Sequence, residues 1–190
     1  MNYLSKRVFI GLLALAAMAF SPTVTSAAPP TEAALIADLA SPKEGTVTSA
    51  LQGLEKNYPT STTAFPTIKK LLADPRNKVA RKAARVLGSL HAPVDATDIK
   101  NIDALLKSTD VDTITDGLKA LRGLDAPSAV PDIVPLLNHS NSHIIRDACR
   151  TLAVIGNKDL IPKIEPLLKN PEPAVQKDAQ DAIVALKAKP

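Results

Sequence analysis

Residues 130 to 137 read VPDIVPLL, and thirty-one positions later residues 161 to 168 read IPKIEPLL. An apolar residue, a proline, an isoleucine two further on, a second proline and a leucine pair agree in order and spacing. Repetition at a period of 20–50 residues is the mark of a solenoid or array, in which each unit buries its apolar face on its neighbours. No other feature of the chain narrows its folding options as much.

The match extends upstream to IKNIDALL at 99 to 106, FPTIKKLL at 65 to 72 and, more weakly, EAALIADL at 32 to 39. With Leu39, Leu72, Leu106, Leu137 and Leu168 taken as equivalent, the periods are 33, 34, 31 and 31. A second block begins seven residues after each leucine: TVTSALQGL, VARKAARVL, TITDGLKAL, IIRDACRTL and VQKDAQDAI. Its first position holds Thr46, Val79, Thr113, Ile144 and Val175. Its fifth is small in every copy (Ala50, Ala83, Gly117, Ala148, Ala179), and its ninth holds Leu54, Leu87, Leu121, Leu152 and Ile183. Positions one, five and nine share one face of a helix, and a small residue between larger ones lets a second helix approach closely. Each unit is therefore predicted to be a hairpin of helix A followed by helix B.

Proline placement agrees. Pro66, Pro131 and Pro162 stand where helix A begins, a position that needs no backbone N–H. Asp74-Pro75 and Asn170-Pro171 supply turn residues between A and B. Pro135 and Pro166 fall one turn inside helix A, where each removes a hydrogen bond and should bend the helix. No alternating β-branched run long enough for a sheet is present, so the predicted fold is all-α.

The register of a leucine pair, a short turn and a V…A…L helix resembles HEAT-type repeats, specifically the short HEAT-like repeats common in bacterial proteins, with VARKAARVLGSL and IIRDACRTLAVIG as the closest segments. The resemblance covers about residues 31 to 188 and implies a right-handed α-solenoid of about five HEAT-like, armadillo-like hairpins, at about 31–58, 63–91, 96–125, 128–156 and 159–188. It also implies protein binding, the usual role of such solenoids, although a few family members catalyse reactions. One departure concerns charge. The family usually places Arg directly after the β-branched residue, whereas Ala80, Ile114, Ile145 and Gln176 stand there. Basic residues come one later, at Arg81, Arg146 and Lys177, which removes the basis for expecting the usual ladder of Arg–Asp pairs between repeats.

Ahead of the repeats, Lys6 and Arg7 precede an apolar run from Val8 to Phe20 and then small residues ending in Thr25, Ser26 and Ala27. That layout predicts a signal peptide over 1–27, cleavage after Ala27, a repeat domain over 28–190 and a periplasmic location without membrane insertion after cleavage. Losing Lys6 and Arg7 leaves 21 of the 23 basic residues against 19 acidic ones. The exported chain is nearly neutral, and with only 3% aromatic residues it lacks the charge and the stacking surface of a nucleic-acid binder. The single Cys149 forms no internal disulfide, so stability rests on apolar packing.

Positions three and seven of helix B lie roughly opposite its core face. They hold Arg81 with Arg85, Thr115 with Lys119, Arg146 with Arg150, and Lys177 with Asp181. Stacking aligns Arg81, Arg85, Lys119, Arg146, Arg150 and Lys177 into a basic ridge, a candidate contact for an acidic protein partner. The alternative is a solvated face neutralised by Asp116, Asp147 and Asp178, which occupy position four in three consecutive repeats and are placed to pair between hairpins. Segment 66–91 carries seven basic residues against Asp74, while 92–132 carries eight aspartates against four basic residues, a contrast that also favours head-to-tail self-association.

The sequence points to no catalytic residue and no cofactor. Gly-rich phosphate loops, a G-x-S-x-G elbow and the His-Glu pairs of metal-dependent HEAT-like enzymes are missing. His139, His143 and Asp147 are the weak metal candidates; the repeat alignment puts His139 in the A–B turn and leaves only His143 and Asp147 on one helical face. Cys149 reads as a semi-buried apolar residue rather than a nucleophile. The expected function is an exported scaffold or adaptor for another protein. The alternatives are a HEAT-like lyase or metal-dependent hydrolase, and a self-assembling structural protein.

Overall fold

The structure is a computed structural model that describes residues 29–190. The expected signal peptide lies outside the described residues. Among these residues all regular structure is helical. The first hairpin pairs α1 (Glu32–Asp38) with α2 (Glu44–Asn57), and the second pairs α3 (Phe65–Lys70) with α4 (Asn77–Ser89). The third pairs α5 (Ala96–Leu105) with α6 (Val111–Gly123), the fourth α7 (Val130–Ile133) with α8 (Ser142–Ile155), and the fifth α9 (Ile161–Ile164) with α10 (Pro173–Ala188). The B helices stack in chain order, α2 on α4, α4 on α6, α6 on α8 and α8 on α10, so the chain is an α-solenoid.

Local chemistry sets the ends of the helices. Asp95 and Asp98 form a reciprocal capping box at α5, while Thr31, Asp110 and Asn141 accept backbone N–H groups at the starts of α1, α6 and α8. Pro66, Pro131 and Pro162 occupy the first turns of α3, α7 and α9. Where Pro135 and Pro166 follow, the α-helix gives way to a 3₁₀ segment, Val134–Asn138 and Glu165–Lys169. A proline lacks the donor for the i−4 carbonyl, and the tighter i−3 pattern takes over. Without a proline at the corresponding place, α5 runs unbroken for 10 residues, and α3 gives way to 3₁₀ only over the three residues that follow it, Leu71–Ala73.

The core follows the register read from the sequence. Val79, Thr113, Ile144 and Val175 at position one are fully buried, as are the small residues at position five and the apolar ones at position nine; Thr46, in the first hairpin, is only half-buried. Gly117 shows what position five does, because a Cβ there would meet Leu105 and Leu106 of its own hairpin. Two further positions carry the stack. Position two (Val47, Ala80, Ile114, Ile145) and position six (Leu51, Ala84, Leu118, Cys149) are buried in the first four hairpins, and the fifth places Gln176 and Gln180 there, half-buried and exposed. These positions face the following hairpin, and the last described hairpin offers polar groups instead. Leu168 behaves likewise. It is 37% exposed, whereas Leu39, Leu72, Leu106 and Leu137 are buried, and Leu167 takes over the core contact in its hairpin.

The closest approach in the stack is between α4 and α6. A Cβ on Gly88 would stand 2.6 Å from the Cα of Ala120, and one on Gly123 would run into the Gly88 carbonyl. Backbone touches backbone there, so neither position has room for a side chain. The A–B turns are also tied together. Arg76 donates to Asp74 in its own turn and, through Nη1, to the Ser41 and Pro42 carbonyls of the preceding one.

Candidate functional site

The outer positions of the B helices form a line of ion pairs that runs from hairpin to hairpin. Arg81, at position three of α4, brings Nη1 to 3.6 Å from Asp116, at position four of α6, and to 3.5 Å from Asp112. Arg146, at position three of α8, places Nε 2.6 Å from Asp178, at position four of α10, and Arg150 reaches the same carboxylate at 3.0 Å. Asp116 and Asp178 do pair between hairpins, as their placement allowed, with the shifted arginines: position three of one helix reaches position four of the next. Asp147 and Asp178 are each 7% exposed, so their charges depend on these partners. Burial raises the carboxyl of Asp116 against the pull of Arg81.

Most residues of the basic ridge have an ion-pair partner within the chain. Arg81, Arg146 and Arg150 are held by aspartates, Arg85 shares Glu55 with Lys82, and Lys177 pairs with Asp181 on its own helix. Lys119 is exposed and makes no ion pair among the described residues. The basic segment 66–91 and the acidic segment 92–132 are adjacent in one stack and are joined within it by Lys69 to Asp98 at 2.8 Å and by the Arg81 cluster.

Two helices lack a basic residue at position three, and of these only α6 is followed by an aspartate, Asp147, at position four of the next helix; after α2 that position holds Lys82. At position three, α2 has Thr48 and α6 has Thr115, and each hydroxyl bonds back to its own helix, Thr48 to the Gly45 carbonyl and Thr115 to the Val111 carbonyl. Each short side chain leaves a groove. The groove at Thr48 has a volume of about 360 Å³ and is walled by Gln52, Lys78, Lys82 and Arg85. The groove at Thr115 has a volume of about 440 Å³ and is walled by Asp112, Lys119, His143, Asp147 and Arg150.

His143 and Asp147 thus share a groove wall, as their spacing implied. His139 is separate: it lies in the turn, where its Nδ1 accepts the Asn141 backbone N–H at 2.9 Å. Among the described residues no three His, Cys, Asp or Glu side chains are grouped to hold a metal ion. Cys149 is fully buried rather than semi-buried, and burial pushes its thiol up to about 12, which removes the thiolate a nucleophile requires. Sequence reasoning missed the two grooves. Their signal was the threonine in place of a basic residue at position three, legible once the basic residues there are recognised as rungs.

The stacked hairpins define an α-solenoid, and comparison with known proteins places it among HEAT and armadillo repeats in fold. The model of the family described as HEAT repeats matches residues 100–184. No curated protein matches the sequence. Among solved structures, the complex of CpcE and CpcF of phycocyanin lyase from Nostoc sp. PCC7120 is similar at a TM-score of 0.72 and 22% identity, over 88% of this chain and 69% of that one. An engineered protein aligns at a TM-score of 0.63 and 24% identity, over 80% of this chain and 77% of its own. A designed armadillo repeat protein in complex with the peptide (KR)4 aligns at 0.64 and 19% identity, over 80% of each chain.

Proposed function

We propose that the protein is an exported scaffold that binds another polypeptide along the outer face of its B helices, with an acidic group of the partner seated at Thr48. The observation that carries this reading is the groove at Thr48. It is open and is lined by Lys78, Lys82 and Arg85 beside the Arg81–Asp116 pair; among the described residues Lys78 meets Glu44 and both Lys82 and Arg85 meet Glu55, at 3.4–3.7 Å. A carboxylate entering there gains charge-assisted hydrogen bonds from donors that are weakly engaged. Support also comes from the fold, since one structure of this shape holds a peptide and another is a complex of two proteins. Fold likeness is an analogy for function and the groove is the specific ground. The periplasmic location rests on the basic, apolar and small-residue order of residues 1–27.

The test is cross-linking and affinity capture from the native cell envelope with the chain from residue 28, beside a Lys82→Gln, Arg85→Gln variant that leaves the Arg81 and Arg146 rungs intact. A defined acidic protein recovered by the first and lost with the second supports the reading. Identical recovery by both overturns the groove as the contact. Fractionation that finds the mature protein in the cytosol overturns the location.

A further inference from the structure

We infer that the groove at Thr115 is a receptor for a cationic side chain, an arginine or lysine of the bound polypeptide, which completes the missing rung opposite Asp147. The protein itself shows what belongs there. In the two neighbouring rungs the carboxylate at position four meets an arginine from position three of the preceding helix, Arg81 for Asp116 and Arg146 for Asp178. Asp147 is the equivalent carboxylate, is 93% buried, and has Thr115 where that arginine would be. Among the described residues its one ion pair is with Arg150 of its own helix at 3.4 Å, and that guanidinium is shared with Asp178 at the shorter distance of 3.0 Å.

The basic residues around the groove do not bar a cation. Arg146 and Arg150 are engaged by Asp178, and Lys119 occupies position seven, where Arg85 accompanies Arg81 and Arg150 accompanies Arg146 in the filled rungs. A guanidinium at position three beside a cation at position seven is an arrangement this stack already uses twice, there with Glu55 balancing Arg85 and Asp178 balancing Arg150. Asp112, on the groove rim, adds a second acceptor, as it does for Arg81.

This inference rests on the polypeptide-binding reading and adds a register to it. The basic groove at Thr48 and the receptor at Thr115 are two hairpins apart. Packed helices lie about 8–10 Å apart, so the two grooves are separated by about 16–20 Å. An extended chain rises about 3.3 Å per residue, so the acidic and cationic residues of the ligand should be about five or six positions apart.

The experiment is a nitrogen-15 NMR titration of the chain from residue 28. The probes are N-acetyl-arginine amide, its uncharged isostere N-acetyl-citrulline amide, and N-acetyl-aspartate amide. The expected result is that arginine shifts the amides of Thr115, His143 and Asp147 at concentrations at least tenfold below those at which citrulline does. Thr115→Arg, which fills the rung from within, and Asp147→Asn should each abolish the response. Equal shifts from arginine and citrulline, an unchanged response in a folded Thr115→Arg variant, or aspartate acting on these amides in place of arginine would overturn the inference. If arginine fails while capture of an acidic protein still depends on Lys82 and Arg85, the receptor is wrong and the scaffold reading stands. If arginine binds while no partner is captured, the scaffold reading falls instead. Gly/Ser peptides carrying one Glu and one Arg, in either order, should bind at least threefold better at a separation of six than of two, and indifference to separation would overturn the register.

Discussion

Gly88→Ala and Gly45→Ala are the same chemical change made in tight and in open surroundings, and they should have opposite effects. At Gly88 the new methyl would start 2.6 Å from the Cα and 2.9 Å from the oxygen of Ala120, both backbone atoms that cannot turn aside. Restoring a carbon–carbon distance of about 3.6 Å requires α4 and α6 to part by about 1 Å at their crossing. A gap of that size forfeits about a quarter to a half of each nearby contact, which over the buried atoms around the crossing comes to about 2–4 kcal/mol. Replacing a helical glycine returns about 1 kcal/mol, so the net loss is about 1–3 kcal/mol. For a chain of this size the melting temperature should fall by about 2–12 °C. At Gly45, in the first turn of α2, a Cβ has no neighbour within 4 Å, and only the helix-propensity gain remains, up to about 1 kcal/mol. Thermal and urea melts of both variants, followed by circular dichroism, provide the comparison. If Gly88→Ala is neutral or stabilising, the backbone contact between α4 and α6 is not the reason for glycine at that site.

Further expectations concern single residues. Asp125, just past α6, has φ of 48°, a left-handed conformation that costs a β-carbon residue about 1 kcal/mol, so Asp125→Gly should raise stability by about that amount in the same melts. Burial, with Asp132 adding to it and Lys107 opposing it, raises Asp103 to about 6 from an ordinary value of 3.8. The folded state then holds an extra proton between those pH values, so stability should fall as pH rises through that window; Asp103→Asn should flatten the profile and gain about 1–2 kcal/mol at pH 7, solvent screening included. Arg146→Met, which takes the 2.6 Å partner from buried Asp178, should cost about 1–2 kcal/mol, while Arg85→Met, at 3.4 Å from Glu55, should stay within about 0.5 kcal/mol in urea titrations. Cys149 should resist a thiol-specific reagent at pH 8 until the protein is unfolded; rapid labelling of the native state would contradict its burial.

The architecture was legible in the sequence because a solenoid writes its packing rule several times. Agreement among Val79, Thr113, Ile144 and Val175 carries more information than any one helix pattern, and all four are buried. What stayed illegible depended on the distance and rotation between neighbouring hairpins. Nothing in the local sequence of Gly88 and Gly123 states that two backbones meet there. The basic ridge was legible as a set of positions but not as a site. Whether Arg81 faces water or Asp116 is decided by a lateral offset of one residue between adjacent helices, which a single repeat does not encode. Leu168 shows the same limit, because its letter matches Leu137 while its burial depends on what stacks above it.

Gln176 and Gln180 bear on how such a chain changes length over evolutionary time. Every interior hairpin presents an apolar upper surface to a matching lower one, so an interior unit of about 31 residues can be duplicated or deleted without redesigning either neighbour. The two glutamines lie outside that interchangeable set. A duplication below them lengthens the line of rungs and adds or removes a groove, while the two glutamines keep their places on α10. Recognition along the B helices can therefore drift in length and in pattern while Gln176 and Gln180 of α10 are inherited intact.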